Sequence, residues 1–549
     1  MTEQNSLNAI DIQIQWNRLI SMMDEADIAL LHSAFSTVVS DSRDYAVILL
    51  DSQARSIAQA QICVPAFTCS LPAAARKMLE EFPLDELQPG DVLFTNDPWI
   101  CHGHLPDFYV IVPIFNEGRV IAFYAGAAHV SDVGGRIDEL TARDVYEEGV
   151  RIPPVKLYEA GVPVPVMFKI LRANTRYPRL VLGDLGALVG AGDIVARRCR
   201  EFEADYGAGA IDRIGEEILN RSENAMRDAI AALPDGDYPA AIDVDGYQTA
   251  THIALTVRVR GEEMELDYAG SSPQRADASI NCVSNVTHAH SMFAVKCLLA
   301  RDIPNNEGLF RPVRTTAPEG SILNAQFPAP VRGRSMTSYH LHSAIFEAMA
   351  LLMPTAVQAG SGSFWWISCA GRDSDGEPFG LHVLPNGGVG ATDDMDGHPV
   401  MAFPGNGTFT PAEIIEHRSP LMILERSLRD DSGGAGRRRG GLGQVIRIRT
   451  HGVQNARMTL RPDKLTHPAR GIQGGEPGAR GEVWLDDRAL PLEPFVLNAG
   501  EILTLKLPGG GGFGNPDDRD PQDIARDIAN GYVSALCAVE TYGVARKAH

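Results

Sequence analysis

The chain has 549 residues, 44% of them hydrophobic and 22% charged, which is enough apolar content for sizeable cores in more than one domain. Its formal net charge is −21 and its pI about 5.2, a balance that argues against sequence-independent binding to nucleic acid or anionic membrane, whose phosphates demand a basic surface. No basic start with an apolar run opens the sequence, no stretch of roughly 18 apolar residues follows, and the eight cysteines lack C-x-x-C spacing. A cytoplasmic protein with reduced thiols and no membrane contact is expected.

Residues from about 8 to 35 have helical periodicity, and Asp44–Asp51 and Ser56–Ala60 read as two strands joined by a polar turn. This places Asp41 and Asp44 at a strand entrance. A helix is predicted over Leu71–Phe82, leading through the turn Leu87–Asp91 into the most informative segment, Asn96-Asp-Pro-Trp-Ile-Cys-His-Gly-His-Leu-Pro-Asp107. Beyond it, Tyr109–Phe115 and Val120–Tyr124 are apolar runs separated by Asn116-Glu117-Gly118, a hairpin signal.

Pairing across that turn sets residue i opposite residue 234 − i, so His129 faces Leu105 or Pro106. Asp107 is then the diagonal neighbour on the same face, about 7–8 Å away between backbones, and His104 sits just before the strand. Two imidazoles and a carboxylate gathered this way suit Zn²⁺ or Mn²⁺, and a three-ligand set leaves a position open, as a catalytic site requires. The bland alternative is a polar strand end whose histidines satisfy backbone carbonyls.

Helical patterns return at 182–208 and 209–233, ending in the turn formers Leu233–Pro239. Ala241–Asp245, His252–Arg260 and Glu263–Tyr268 alternate like antiparallel strands, and 286–300 and 339–352 read as helices. The last third is glycine-rich, notably Ser432–Gly443 and Pro508–Pro516. Neither stretch has the strand and helix context of a P-loop or dinucleotide fingerprint. They read as tight turns at positive φ between β elements, with an anion site on backbone amides and Arg437–Arg439 as the alternative. The expected architecture is mixed α+β and multi-domain, with antiparallel sheets and flanking helices. The expected divisions are a metal-site α/β domain over 1–235, a central α+β domain over 236–425, and a Gly-rich, mostly β region over 426–549 with a terminal helix.

With these motifs in order, the sequence resembles the hydantoinase B/oxoprolinase family, shared by ATP-dependent hydantoinases, 5-oxoprolinases, caprolactamase and the acetone and acetophenone carboxylases. The carriers are Asn96-Asp-Pro-Trp99, Gly103-His-Leu-Pro-Asp107, His129 with Asp132-Val-Gly-Gly135, Glu148-Gly-Val-Arg-Ile-Pro153, Asn281-Cys282, Pro304-Asn-Asn-Glu-Gly308, Pro318-Glu-Gly-Ser321, Arg429–Gly436 with Arg439–Gly443, and Pro508–Gly514. The resemblance covers nearly the whole chain. It implies a metal held by His104, Asp107 and His129, with a further carboxylate from Asp41 or Asp44. Cys101-His102 departs from the common pattern, leaving His102 as a substrate-facing donor or a variant loop residue.

The resemblance also implies a partner, an A-type subunit of actin-like fold that binds ATP-Mg and phosphorylates a carbonyl or enol oxygen. An unstrained amide resists water, and converting its oxygen to a phosphoimidate activates the carbon. The metal would then activate water or polarise the substrate, with Asp41, Asp44, Asp132 or Glu148 as base or orienting group. Each acid has a duller role open to it: Asp44 a turn cap, Asp132 a support for the His129 ring, Glu148 a solvated helix residue, while Asn96 and Asp97 read as turn formers. The expected function is that of the B-type subunit of an ATP-dependent hydrolase of a hydantoin or lactam ring. A ketone carboxylase subunit and a non-catalytic scaffold for the A-type subunit are the alternatives.

Overall fold

The structure is a computed structural model that describes residues 8–136, 139–372, 376, 378–401, 403–405, 410–451, 455–490 and 493–543. It is mixed α+β, and its chain groups into two compact units, one of residues 1–237 with 256–338, the other of residues 238–255 with 339–549. No helix among the described residues is long and apolar enough to cross a membrane. All eight cysteines are free thiols.

The first unit is built on a seven-stranded sheet in the order β2-β1-β5-β4-β3-β6-β7. Its strands are β1 (Tyr45–Asp51), β2 (Ser56–Gln59), β3 (Val92–Thr95), β4 (Asp107–Asn116), β5 (Arg119–His129), β6 (Val155–Glu159) and β7 (Val162–Pro163). The helix α1 (Ala9–Ser33) packs on β1 and β2, and α5 (Pro178–Tyr206) packs on β4 and β5; the Tyr124 hydroxyl donates to the Leu188 carbonyl at 2.9 Å. The opposite face carries α3 (Pro65–Glu81), where Ser70 and Tyr109 share a 2.6 Å hydrogen bond. Covered on both sides, β1 is buried along its whole length, which explains its unbroken apolar run Tyr-Ala-Val-Ile-Leu-Leu. The helix expected from Leu71 begins earlier, at Pro65, whose fixed φ suits a first turn, and it carries Pro72 inside.

The β4–β5 hairpin corrects the expected register. Glu117 and Gly118 alone form the turn, both at positive φ (49° and 80°), so Asn116 pairs with Arg119. A bulge between Ile114 and Phe115 then adds one more residue, and Asp107 comes to lie directly opposite His129. The sequence carries no mark of that bulge, and without it His129 would face Pro106 and Asp107 would point from the other face of the sheet.

The remainder of this unit includes α6 (Ala210–Ala231), α7 (Ser284–Leu299) and a smaller sheet in which Glu263–Asp267 runs antiparallel to Thr256–Arg260 and parallel to Val313–Thr316. The second unit holds antiparallel sheets around an apolar cluster that includes Trp365, Ile367, Leu381, Met458, Leu497 and Leu505.

Its glycine-rich stretches are not turns at positive φ. Within 432–443 and 508–516, Gly514 is the one glycine recorded in that region. The others lie backbone against backbone: Gly434 donates to Gly510 at 2.8 Å, Gly510 to Gly441 at 2.9 Å and Gly441 to Val389 at 2.8 Å. A Cβ on Gly510 would stand 2.1 Å from the Val389 carbonyl oxygen. Glycine is needed here for close approach, not for turning. The arginines of the alternative anion site each lie beside a carboxylate, Arg437 with Asp393 (2.5 Å), Arg438 with Asp523 (3.6 Å) and Arg439 with Asp527 (3.2 Å), which argues against it.

Candidate metal centre

Asp107 and His129 project from adjacent strands toward the α3 side of the first sheet, and His104 reaches them from the turn before β4. Gly103 makes that turn possible. Its φ is +76°, and a Cβ there would meet Val286 at 2.4 Å and Arg334 at 3.0 Å. Asn96 braces the loop, its amide nitrogen donating to Leu105 (2.8 Å) and Val150 (2.9 Å) while its oxygen accepts from the Ile152 amide (2.7 Å). Asp97 accepts from Trp99 and from Arg151. Asn96 and Asp97 therefore shape the loop, as their residue types suggest, and tie the Asn-Asp-Pro-Trp segment to the Glu-Gly-Val-Arg-Ile-Pro segment.

Three donor atoms converge: His104 Nε2 lies 2.6 Å from Asp107 Oδ1, and His129 Nδ1 lies 3.1 Å from each. All three side chains are buried, Asp107 completely. Burial, aided by the adjacent Arg334 charge, pushes the His104 imidazole down to about 3, so it is neutral near pH 7. Burial works the other way on Asp107, but His104 and Arg334 outweigh it and hold that carboxyl well below the usual range. A neutral imidazole and an ionised carboxylate are the forms that bind metal.

Arg334, which sequence reasoning missed, organises the centre. Its Nη2 donates to Asp107 Oδ2 (2.9 Å) and its Nε to the His102 carbonyl, while its Nη1 lies 2.8 Å from His104 Nδ1. The Arg332 carbonyl also faces His104 Nδ1 at 3.1 Å. It offers an acceptor for the tautomer in which Nδ1 carries the proton and Nε2 is free for a cation. Ligand bonds to such an ion run about 2.0–2.2 Å, which donor atoms near 3 Å apart can share; the residues fit a divalent ion.

The other candidates are placed as follows. Asp44 enters beside the centre: the His129 amide donates to its carbonyl at 2.9 Å. Burial raises its carboxyl, which also feels His129, Asp107 and Arg334. Asp41 caps the short helix Thr37–Ser40 and accepts from Ser40 Oγ at 3.0 Å. Asp132 is buried with both oxygens taken by Arg176, through its backbone amide and, at 2.6 Å, its guanidinium.

Glu148 is not a solvated helix residue. It is 1% exposed and accepts from the Val331 (2.7 Å) and Arg332 (2.9 Å) amides, while Arg332 Nη1 returns a bond to its carbonyl. It thereby fixes the segment whose carbonyl meets His104. Burial outweighs those bonds and pushes its carboxyl up to about 8, and its Oε2 has no hydrogen-bond partner among the described residues. His102 is buried with Nδ1 lacking a hydrogen-bond partner among the described residues, its ring 5.4 Å from Phe67 and 5.6 Å from His290. Burial, reinforced by Arg334, lowers His102 well below its usual value and His290 to about 3. The only sequence signal for Arg332 and Arg334 was a Val-Arg-Gly-Arg run in an apolar, Pro-containing stretch, roughly two hundred residues from the histidines.

The family model described as Hydantoinase B/oxoprolinase matches residues 8–516. The chain belongs to the hydantoinase B/oxoprolinase family. Among its relatives is the B-type subunit of a putative D-/L-hydantoinase of Pseudomonas sp. (strain NS671), 29% identical with 99% of this chain and 96% of the relative covered. The beta subunit of the caprolactamase of Pseudomonas jessenii is also 29% identical, covering 98% and 96%. The crystal structure of the ATP-dependent caprolactamase from Pseudomonas jessenii superposes with a TM-score of 0.89 at 26% identity, covering 98% of this chain and 97% of that one. A nucleotide-free acetone carboxylase structure shares the fold, with a TM-score of 0.85 at 21% identity over 97% of this chain and 79% of that one. The family therefore includes subunits of enzymes acting on cyclic amides, an ATP-dependent caprolactamase among them, and an acetone carboxylase shares the fold.

Proposed function

We propose that this protein is the B-type, metal-containing subunit of an ATP-dependent cyclic amide hydrolase, opening a hydantoin or lactam ring that a partner A-type subunit has activated by phosphorylation. The observation that carries this reading is the convergence of His104 Nε2, Asp107 Oδ1 and His129 Nδ1 at one buried point. The names of two relatives matched along nearly their whole length supply the reaction class and the need for a partner subunit.

In this reading His104, Asp107 and His129 would hold a zinc or manganese ion, with ATP-Mg bound by the partner. When bound, such an ion supplies Lewis acidity toward water or a substrate oxygen. Arg334 keeps Asp107 ionised and aimed, and leaves its Oδ1 for the cation. Asp44, whose carboxyl feels the charges of His129 and Asp107, would take a proton from water or serve as the fourth ligand. Glu148 positions the Arg332 carbonyl on His104, Asp132 anchors its own loop through Arg176, and the unpartnered His102 Nδ1 is a candidate donor or acceptor for substrate.

The test is reconstitution with the partner subunit and ATP against a panel of lactams and hydantoins, with ketones plus labelled bicarbonate alongside. Ring-opened acid, together with divalent metal near one per chain that is lost in His104→Ala, is the expected result. Labelled keto acid instead would replace the hydrolase by a carboxylase, and full turnover by His104→Ala would remove the metal centre from the reaction.

A further inference from the structure

The Asn281-Cys282 motif supplies nothing to the centre directly, but it lies along the segment that supplies both arginines. From Ser279 to Cys282, each residue makes a bond to the stretch that carries Arg332 and Arg334. The Ser279 carbonyl accepts from the Gly333 amide at 2.6 Å and the Ile280 carbonyl from Thr337 Oγ1 at 2.7 Å. Asn281 Nδ2 donates to the Pro330 carbonyl at 2.7 Å, and Cys282 Sγ to the Arg334 carbonyl at 3.5 Å. The two segments are tightly packed: a Cβ on Gly333, between the arginines, would stand 2.9 Å from the Ser279 oxygen.

Asn281 makes its bond through the side-chain amide. It is completely buried, its Oδ1 accepts from the Arg275 amide (2.7 Å), and its two Nδ2 hydrogens serve the Arg275 carbonyl (2.7 Å) and Pro330. Pro330 stands two residues before Arg332, whose carbonyl faces His104, and four before Arg334, which donates to Asp107. As a proline it has no N–H of its own to anchor it, and the next two amides go to Glu148 at 2.7 and 2.9 Å. Glu148 therefore holds the segment by its amides, and Asn281 holds it by the carbonyl just before them.

We propose that Asn281 is a positioning residue of the metal centre, acting through the Pro330 carbonyl to set Arg332 and Arg334 against His104 and Asp107. Its effect on metal affinity rests on the reading of His104, Asp107 and His129 as ligands; its effect on order at those residues does not. Loss of a partner that orients ligands weakens metal binding by about 10–100-fold. Asn281 acts one step further out, which places it at the lower end.

Asn306 is a matched control. It is also buried, with Nδ2 on Ser222 Oγ (2.8 Å) and the Pro304 carbonyl (2.9 Å) and Oδ1 on the Gly308 amide (3.0 Å), partners that lie outside the centre. The test is chelator-competition titration of the full chain with Zn²⁺, alongside hydrogen exchange of peptides spanning 104–130 in the metal-free chain. Asn281→Ala should weaken Zn²⁺ binding about tenfold and speed exchange in 104–130, and Asn306→Ala should do neither. In an Arg334→Met background Asn281→Ala should weaken binding little further, because both changes act on one set of contacts. Asn281→Asp, which keeps the shape and the acceptor for Arg275 but not the donors, carries the test if the alanine variant does not fold. Affinity and exchange unaltered in the Asn281 variants, equal losses in Asn281→Ala and Asn306→Ala, a loss that adds fully to that of Arg334→Met, or failure of both Asn281 variants to fold would each overturn the proposal. A wild-type chain that binds no Zn²⁺ would overturn the metal reading instead, and exchange in 104–130 would then decide the role of Asn281.

Discussion

Replacing Arg334 by methionine tests the electrostatic account of the centre most directly. The guanidinium donates to Asp107 Oδ2 at 2.9 Å and to the His102 carbonyl, with its Nη1 2.8 Å from His104 Nδ1, and Asp107 is completely buried. Methionine fills similar volume and removes every donor, leaving a buried carboxylate without its counter-charge. Breaking a buried pair from one side costs about 3–5 kcal/mol, which at 1.36 kcal/mol per tenfold is a rise of roughly a hundred- to several-thousand-fold in the opening equilibrium of β4 and β5. Hydrogen exchange of peptides spanning residues 104–130 reads that change locally. The effect has a pH signature. The carboxyl of Asp107 is depressed in the fold, so its contribution is present above the unfolded value near pH ~4 and is lost as acid protonates it. The gap between variant and wild type should therefore narrow in acid. Added Zn²⁺ or Mn²⁺ should restore part of the loss, because the ion replaces the missing positive charge. Arg334→Lys should fall between, keeping the charge but not the fork that reaches both ligands. Exchange in 104–130 that is unaltered by Arg334→Met, or altered equally with and without metal, would refute the reasoning.

Three further outcomes are expected. Asp44→Asn should weaken metal binding by about 10–100-fold, in the range of a lost outer or fourth ligand, and Asp41→Asn should leave it unchanged; metal-competition titration distinguishes them, and the reverse order would reassign the fourth carboxylate. Glu148 is raised to about 8 in the fold, so its contribution is fully present below the unfolded value near pH ~4.5 and is lost as pH rises through about 8. Glu148→Gln keeps an oxygen for the Val331 and Arg332 amides without the titration, so its urea midpoint should fall less than wild type between pH 5 and 8; parallel curves would show that Glu148 does not titrate there. Gly510→Ala, whose Cβ would stand 2.1 Å from the Val389 oxygen, should abolish a protease-resistant second unit. Gly500→Ala, at φ +91° with open space around it, should cost only the backbone strain of about 1–2 kcal/mol, and equal behaviour of the two would contradict the packing account.

The grouping of two histidines and a carboxylate was legible in the sequence because a hairpin is a local object. His104, Asp107 and His129 lie within a short span of chain, and alternating strand geometry brings such residues together whatever the rest does. The α1, α5 and α6 helices and the β1–β2 pair were legible for the same reason, their periodicity being unbroken. The family, too, could be read from motif order alone.

What needed the tertiary structure is whatever depends on distant segments meeting. The two-residue turn and the bulge at Ile114/Phe115 together turned the expected diagonal pair into a direct one, and no residue type announces the bulge. Arg334 reaches the histidines across 230 residues of sequence, and Glu148 holds that approach from 183 residues away, so neither role has a spacing to read. Composition marked the glycine-rich stretches as special but could not say why. A glycine chosen for positive φ and one chosen for a missing Cβ are the same letter, and only the neighbouring backbone, supplied by other parts of the chain, decides between them.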